Sequence, residues 1–242
     1  MAKIAEGVYF VPGQDEMIPD SHLYCLGEPS SHDLSLVDVG LFGKAGYKIQ
    51  SLQEMGIELE DIKRIILTHT HFDHVGCLSE IQKKVPGAEL WVHTLEANAL
   101  EQGDERTVYG MEVFREMCQM QYGLASGAFT FHVHRKLQGG ENVAIGGTDW
   151  QVLHIPGHSM GGIALYQRSK KILIPGDVLY ADYAIGRYDL HGANAPELKK
   201  SLLKLSELDV DTLLPGHNRI VKNLPKGYIS KTAKQWESYL TA

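Results

Sequence analysis

Three segments of the 242-residue chain share one pattern: a short apolar run, then Pro-Gly, then a side chain that can bind a metal ion. They read IPGH at 155–158, IPGD at 174–177 and LPGH at 214–217. Because proline stops a strand ladder and glycine lets the backbone turn sharply, each pattern predicts a strand that presents its final side chain at a sheet rim. A fourth apolar run, ILTH at 66–69, also ends in histidine. The chain is therefore predicted to fold so that four strand ends meet at one rim.

A second feature is the segment THTHFDHVG at 68–76, which places His69, His71, Asp73 and His74 within six positions. In an extended or tightly looped segment alternate residues face the same side, so His69 and His71 can reach one ion. Asp73 and His74 come from the turn into the next helix and can reach a second ion beside it. Imidazole nitrogens and carboxylate oxygens suit zinc, and also iron or manganese. The segment predicts a metal centre.

The remaining sequence predicts short strands interrupted by helices. Strands are predicted at 7–12, 22–27, 34–39, 62–68 and 89–93, then from about 129 to 175 in AFTFHVHRK, ENVAI, WQVLHI, IALYQ and KILI, and last in TLLP. Helices are predicted at 43–55, 74–84, 195–207 and 226–240, with one or two more within 95–123, broken near Gly103 or Gly110. Strands in both halves favour two sheets packed together with helices outside. No linker-like tract divides the chain, so 1–242 is predicted to be a single domain.

Charge and composition exclude several classes of protein. The chain has 23 Lys and Arg against 30 Asp and Glu, a net charge of −7, which disfavours a nucleic-acid partner. It has no run of about 18 apolar residues, so no membrane association is expected. The N-terminus lacks the apolar core of a secretory signal, and three cysteines are too few for a disulfide framework. We expect a cytoplasmic protein whose partner is a small-molecule substrate, with homo-oligomerisation left open.

Five segments of the chain together resemble the five sequence motifs of the metallo-β-lactamase superfamily. They are VDVG, THTHFDH, PGHS, PGD and PGHN. They follow in the family's order and spacing from residue 38 to residue 217. The resemblance implies an α+β fold, a four-layer αβ/βα sandwich in which two mixed sheets pack face to face, with helices on the outer faces and metals at one edge. Within that superfamily, the closer resemblance is to glyoxalase II-like and related small hydrolases, on the strength of the segments IPGHSMGG, IPGDVLY and IGRYDL.

Carried over position by position, the resemblance implies two divalent metal ions, zinc first, with iron or manganese as alternatives. The implied ligands are His69, His71 and His158 for the first metal, Asp73, His74 and His217 for the second, and Asp177 as the bridge between them. Asp38 is implied to steer a histidine or the loop without touching a metal. Two ions held in this way imply a dinuclear metal site.

The implied reaction is hydrolysis of an ester, thioester or lactone bond of a small molecule by a metal-bridging hydroxide. In that reaction Asp73 would orient the hydroxide or relay its proton. Tyr180 would donate a hydrogen bond to the carbonyl oxygen as in lactonase-like members, or else pack as a rim aromatic. The first alternative is a mononuclear non-haem iron oxidoreductase of the persulfide dioxygenase type, and the second is a phosphodiesterase of the same fold.

Four further residues are candidates for the substrate pocket, each with a plainer alternative. Met117 belongs to a methionine-rich stretch that suits either an adaptable pocket wall or a helix packed on the core. Arg187 can contact substrate or pair locally with Asp189. His22 and His191 are weaker candidates for the pocket lining. Only 25 residues follow the last motif histidine, without the basic helical extension of glyoxalase II, so glutathione thioesters are not expected substrates.

Overall fold

A computed structural model describes residues 1–14 and 18–241. Its strands form two sheets. The first contains, in spatial order, β1 (Ala2–Ala5), β2 (Val8–Val11), β3 (Leu23–Leu26), β4 (Leu34–Val37), β5 (Ile62–Ile66), β6 (Glu89–His93) and β7 (Arg135–Leu137). The second runs in the order β12 (Thr212–Leu213), β11 (Ile172–Ile174), β10 (Ile163–Gln167), β9 (Thr148–His154) and β8 (Asn142–Ile145).

Both sheets are mixed. In the first, β1 to β4 pair antiparallel, whereas β4 to β7 pair parallel because helices carry the chain between them. In the second, β8 to β11 are antiparallel and β12 joins β11 parallel. The helices are α1 (Ala45–Glu54), α2 (Phe72–Val75), α3 (Leu78–Gln82), α4 (Thr94–Gln102), α5 (Arg106–Tyr109), α6 (Glu112–Tyr122), α7 (Ala195–Ser206) and α8 (Tyr228–Trp236).

The strands bury apolar side chains on both faces, which gives three apolar layers. In β3, Tyr24 and Leu26 point towards the second sheet and meet Trp150 of β9, which is fully buried. Leu23 and Cys25 point the other way, into the layer shared with α1, α3 and α4. A third layer joins the outer face of the second sheet to α7 and α8. This arrangement of helix, sheet, sheet and helix confirms the predicted α+β four-layer sandwich.

Local signals account for several of the helix boundaries. Asn194 caps α7, because its side chain accepts a hydrogen bond from the backbone N–H of Glu197 at 2.9 Å, and Pro196 occupies the first turn. The stretch 95–123 forms three helices where one or two were predicted, because both Gly103 and Gly110 adopt the left-handed conformation that ends a helix. No helix among the described residues is long and apolar enough to cross a bilayer.

One predicted strand is wrong. In AFTFHVHRK only the end of the segment joins the sheet, as β7. The apolar alternation of Phe129, Phe131 and Val133 instead covers the helical layer, and the N–H of Phe131 donates to Leu100 of α4. An extended segment that lies across a helix shows the same period of two as a strand.

Candidate metal centre

The side chains that can bind metal lie where strands of both sheets end at one edge. His69 follows β5 by three residues, and the strand ends of β9, β11 and β12 lead within four residues to His158, Asp177 and His217. Asp73 and His74 lie in α2, which starts directly after the histidine loop. The structure therefore brings together all seven side chains of the predicted ligand set.

Two glycines permit this close approach. Gly157 has a φ of 129°, and a Cβ there would lie 2.2 Å from the backbone nitrogen of Leu198. At Gly216 a Cβ would lie 2.1 Å from Asp177 Oδ1. Gly216 is therefore needed for its lack of a side chain, not for the sharp turn that the Pro-Gly pattern predicted.

His69, His71 and His158 form the first group of donors. Nδ1 of His71 lies 2.9 Å from Nε2 of His158, and that Nε2 lies 3.2 Å from Nε2 of His69. All three residues are buried, at 2 to 5% exposure. We call these residues the three-histidine group.

Asp73, His74, Asp177 and His217 form the second group, the carboxylate group. Nε2 of His217 lies 2.9 Å from Asp73 Oδ2, and Nε2 of His74 lies 3.2 Å from Asp177 Oδ1. The other oxygen of Asp177, Oδ2, lies 3.4 Å from His217 and 3.7 Å from Nε2 of His158. Asp177 thus stands between the two groups.

The hydrogen bonds behind the rings show which nitrogens carry lone pairs. Nδ1 of His158 lies 2.7 Å from the carbonyl oxygen of Arg187, and Nδ1 of His74 lies 2.9 Å from Asp38 Oδ2. Both partners only accept, so each Nδ1 carries the hydrogen, and in the neutral ring Nε2 is left with its lone pair. Lone pairs that converge within about 3 Å repel one another unless a cation lies between them. The donor set therefore fits divalent metal ions such as zinc or iron.

The electrostatics of the two groups differ. Burial, with the neighbouring imidazole of the same group, lowers the pKa of His71 to about 3, and burial holds the pKa of His69 well below its usual value. In the carboxylate group burial opposes the charge, yet Asp177 and Asp73 raise the pKa of His217 to about 10. The three-histidine group offers neutral ligands, while the carboxylate group attracts positive charge.

Asp38 supports this centre from behind. It follows β4 and has a φ of 55°, and its carboxylate accepts hydrogen bonds from the N–H of Thr68 at 2.8 Å and the Thr68 hydroxyl at 2.7 Å. The same carboxylate fixes the ring of His74. These contacts place it where the sequence predicted, touching a histidine and the loop.

The sequence reasoning missed Glu96. This residue of α4 is 1% exposed, and its carboxylate accepts from the N–H and hydroxyl of Thr70 at 2.7 and 2.9 Å and from the N–H of Gly161 at 2.9 Å. Thr70 lies between His69 and His71, so Glu96 ties their loop to the loop that carries His158. A glutamate inside a helical pattern gives no signal of such a role.

A cleft of about 620 Å³ opens over the carboxylate group. Residues of α5 and α6 and the loops at 18–19 and 185–190 form a mostly apolar wall around it. Its lining residues include Ile18, Pro19, His71, Asp73, Val108, Tyr109, Met111, Phe114, Met117, His158, Asp177, Tyr180, Ile185, Arg187, Leu190 and His217. Five of the seven metal-capable side chains therefore face a cavity large enough for a small-molecule substrate.

Three of the predicted substrate residues line this cleft. Tyr180 lies in the lining with its ring centroid 6.3 Å from that of His217, and desolvation together with the Asp177 carboxylate raises the pKa of its phenol well above the usual value. Met117 also belongs to the wall. Arg187 lines the cleft as well, although its guanidinium is held at 2.9 Å from both carboxylate oxygens of Asp189.

The two predicted pocket histidines lie elsewhere. His22 is 7% exposed, accepts a hydrogen bond from the N–H of Gly13 at 2.9 Å and packs edge-on against Phe10, so it holds two loops together behind the cleft. His191 lines a neighbouring cavity of about 410 Å³ with Asp104 and Arg115. Placing them in the substrate pocket was wrong, because spacing in the sequence does not reveal on which side of a loop a ring is buried.

Comparison with known proteins gives a consistent result. The family model described as the metallo-beta-lactamase superfamily matches residues 31–217. Over 185 residues the chain is 30% identical to the hydroxyacylglutathione hydrolase GloC of Haemophilus influenzae, which covers 76% of this chain and 79% of that protein. Over 179 residues it is 34% identical to the acyl-coenzyme A thioesterase MBLAC2 of chicken, Gallus gallus, covering 69% of this chain. The match spans less than two thirds of that relative, 62% of its length.

Solved structures show the same architecture. TTHA1623 in a di-iron-bound form superposes with a TM-score of 0.68 at 27% identity, covering 92% of this chain and 98% of that one. BJP-1, a subclass B3 metallo-beta-lactamase of Bradyrhizobium japonicum, gives a TM-score of 0.72 at 22% identity over 98% and 90% of the two chains. At that identity the second likeness concerns the fold alone.

Proposed function

Because the chain belongs to the metallo-β-lactamase superfamily, we propose that it is a dinuclear metal-dependent hydrolase of an ester, thioester or lactone bond in a small molecule. The observation that carries this proposal is the pair of donor groups joined by Asp177 at the floor of a mostly apolar cleft. The three-histidine group would hold one divalent ion and the carboxylate group the other, with Asp177 available to both. Zinc is the first candidate, and the di-iron form of TTHA1623 keeps iron as an alternative beside manganese.

When bound, two such ions would supply an activated water and polarise the scissile carbonyl. The chain's own residues hold the reactants in place. Asp73 lines the cleft, where its carboxylate can orient the attacking water. Tyr180 lines the cleft near His217, so its phenol hydroxyl, which is protonated at neutral pH, can donate to the carbonyl oxygen as negative charge develops there.

Two features favour acyl hydrolysis over the alternatives. A mononuclear dioxygenase needs one set of two histidines and a carboxylate, which would leave Asp73, His74 and His217 without a use. Metal ions can themselves clamp a phosphate, but a phosphodiester would find little further positive charge in the cleft. Among the described lining residues Arg187 is the one lysine or arginine, and it is paired with Asp189. The thioesterase and hydroxyacylglutathione hydrolase relatives support the same substrate class.

The proposal is tested with protein loaded separately with zinc, iron and manganese. An aryl ester, an acyl thioester, a lactone and a phosphodiester are offered to each form, and thiol-dependent oxygen uptake is measured in parallel. We expect metal-dependent cleavage of the acyl substrates. Oxygen uptake with thiol, or cleavage of the phosphodiester alone, would overturn the proposal.

Two variants refine the test. Tyr180→Phe should lower kcat at least several-fold, with a loss of about 10²–10³ as the upper range for an oxyanion donor. Asp177→Asn should lose both the second metal and turnover. Asp209→Asn is the control, since Asp209 is an exposed carboxylate paired with Lys171 and lies outside the cleft. Full activity in Asp177→Asn would contradict the bridging role.

A further inference from the structure

Helix α6 carries an apolar surface that starts in the core and ends in solvent. Cys118 is fully buried and Phe114 is partly buried against the core. Met117, three residues after Phe114, is 40% exposed, whereas Val113 and Met120 are 76% and 88% exposed. Because residues three and four apart are neighbours on a helix, Val113, Met117 and Met120 form one continuous stripe. Among residues 1–14 and 18–241, the protein thus covers the side of α6 that carries Cys118 and leaves Val113 and Met120 largely open to solvent.

The exposed stripe is continuous with the wall of the catalytic cleft. Met117 lines the cleft, and so does Met111, which precedes α6 and is 42% exposed. An apolar path therefore leads from the metal-capable side chains, across Met111 and Met117, onto Val113 and Met120. We call these four residues the α6 strip.

Size argues against a second protein copy as the partner of the α6 strip. A stable protein interface takes about 20–30 residues from each side, whereas the strip offers four apolar side chains flanked by Glu112 and Glu116. A protein seated there would also cover the two methionines at the mouth of the cleft. A ligand that extends out of the cleft fits the same surface without closing it. Methionine side chains are flexible and adapt to an unbranched chain.

We propose that the α6 strip binds the hydrocarbon tail of the acyl group, so that the protein prefers medium-chain and long-chain acyl substrates over acetyl ones. The inference rests on the proposed function, because it places the carbonyl carbon at the metal centre and the tail on α6. It adds a substrate class that follows from the position of the strip.

The test compares kcat/KM across p-nitrophenyl esters from acetate to dodecanoate. Full burial of one methylene corresponds to a gain of at most about fourfold in kcat/KM. Because the strip is half open, we expect kcat/KM to rise about twofold with each added methylene until the strip is covered. In Met117→Gln and Met120→Gln, which keep side-chain length and helix propensity, the ratio of kcat/KM for dodecanoate over acetate should fall at least about tenfold. Leu203→Gln is the matched control, because Leu203 is a 50% exposed apolar residue of α7 outside the strip.

Each outcome decides the inference. A dodecanoate-to-acetate ratio that Met117→Gln leaves at the wild-type value would overturn it. A change in oligomeric mass for Met120→Gln, measured by light scattering, would show a subunit interface and would also overturn it.

If no ester is cleaved, the proposed function fails but the strip can still be tested. Calorimetry with decanoate and with acetate reads tail binding without turnover. Tighter binding of decanoate that is lost in Met117→Gln supports the strip, and equal binding of the two carboxylates overturns it.

Discussion

Replacement of the buried Glu96 by glutamine tests how the loops of the metal centre are held. The carboxylate accepts three hydrogen bonds, two on one oxygen from Thr70 and one on the other from Gly161. Glutamine keeps one acceptor oxygen and turns an amide N–H₂ towards the remaining donors. At least one charge-assisted hydrogen bond is lost, worth about 1.5–3 kcal/mol, and a buried donor is left unpaired. We therefore expect Glu96→Gln to lower the free energy of unfolding by about 2–4 kcal/mol.

The same change should loosen the three-histidine group, because Thr70 lies between two of its histidines and Gly161 is three residues from the third. Removing a partner that orients metal ligands typically costs 10–100-fold in metal affinity, and we expect a loss in that range. Urea denaturation of the metal-free protein measures stability, and competition with a chromophoric chelator measures zinc affinity.

Glu101→Gln is the matched control, since Glu101 lies on the same helix but pairs with Lys136 at the surface, at 2.6 Å. Its stability and zinc affinity should match those of the wild type. If Glu96→Gln and Glu101→Gln behave alike in both assays, the reasoning about the buried carboxylate is refuted.

Three other changes probe the supports of the cleft. Lys48→Met removes the cation paired with the fully buried Asp20 and leaves that carboxylate with backbone N–H donors. It should cost about 3–5 kcal/mol in urea denaturation, partly recovered by adding Asp20→Asn; a loss below about 1 kcal/mol contradicts this. Asp38→Asn should weaken zinc binding at the carboxylate group 10–100-fold in chelator competition, and unchanged affinity would remove its orienting role. Tyr228→Phe removes a hydroxyl that is hydrogen-bonded to the backbone on both sides of the turn after Tyr180. We expect kcat to fall while KM and metal content stay unchanged, and a change in KM alone would contradict this.

The parts of the structure that the sequence predicted well are those with a local cause. An apolar run followed by Pro-Gly and a ligand type marks a strand end by itself, so His158, Asp177 and His217 could be placed at the rim without knowledge of the sheets. The short apolar runs of β3 and β6 similarly mark strands that are buried on both faces, which the composition of each segment reveals by itself. The sandwich followed from the motif resemblance, because periodicity predicted only sheets with helices outside.

What could not be predicted depends on distant contacts. The partners of Glu96 lie 26 and 65 residues away, and the helix alone looks amphipathic. Phe131 and Val133 alternate as in a strand, yet their segment packs on the helical layer and bonds to Leu100 of α4. The burial of His22 against Phe10 follows from the pairing of β2 with β3, which the spacing of the histidines does not encode.

Metal content tests the central claim most directly. Protein purified without a chelating column is analysed by elemental mass spectrometry, together with Asp177→Asn and the surface control Asp209→Asn. The dinuclear account predicts about two equivalents of divalent metal in the wild type and the control, and at most one in Asp177→Asn. One equivalent of iron alone in the wild type, or two equivalents retained in Asp177→Asn, would contradict it.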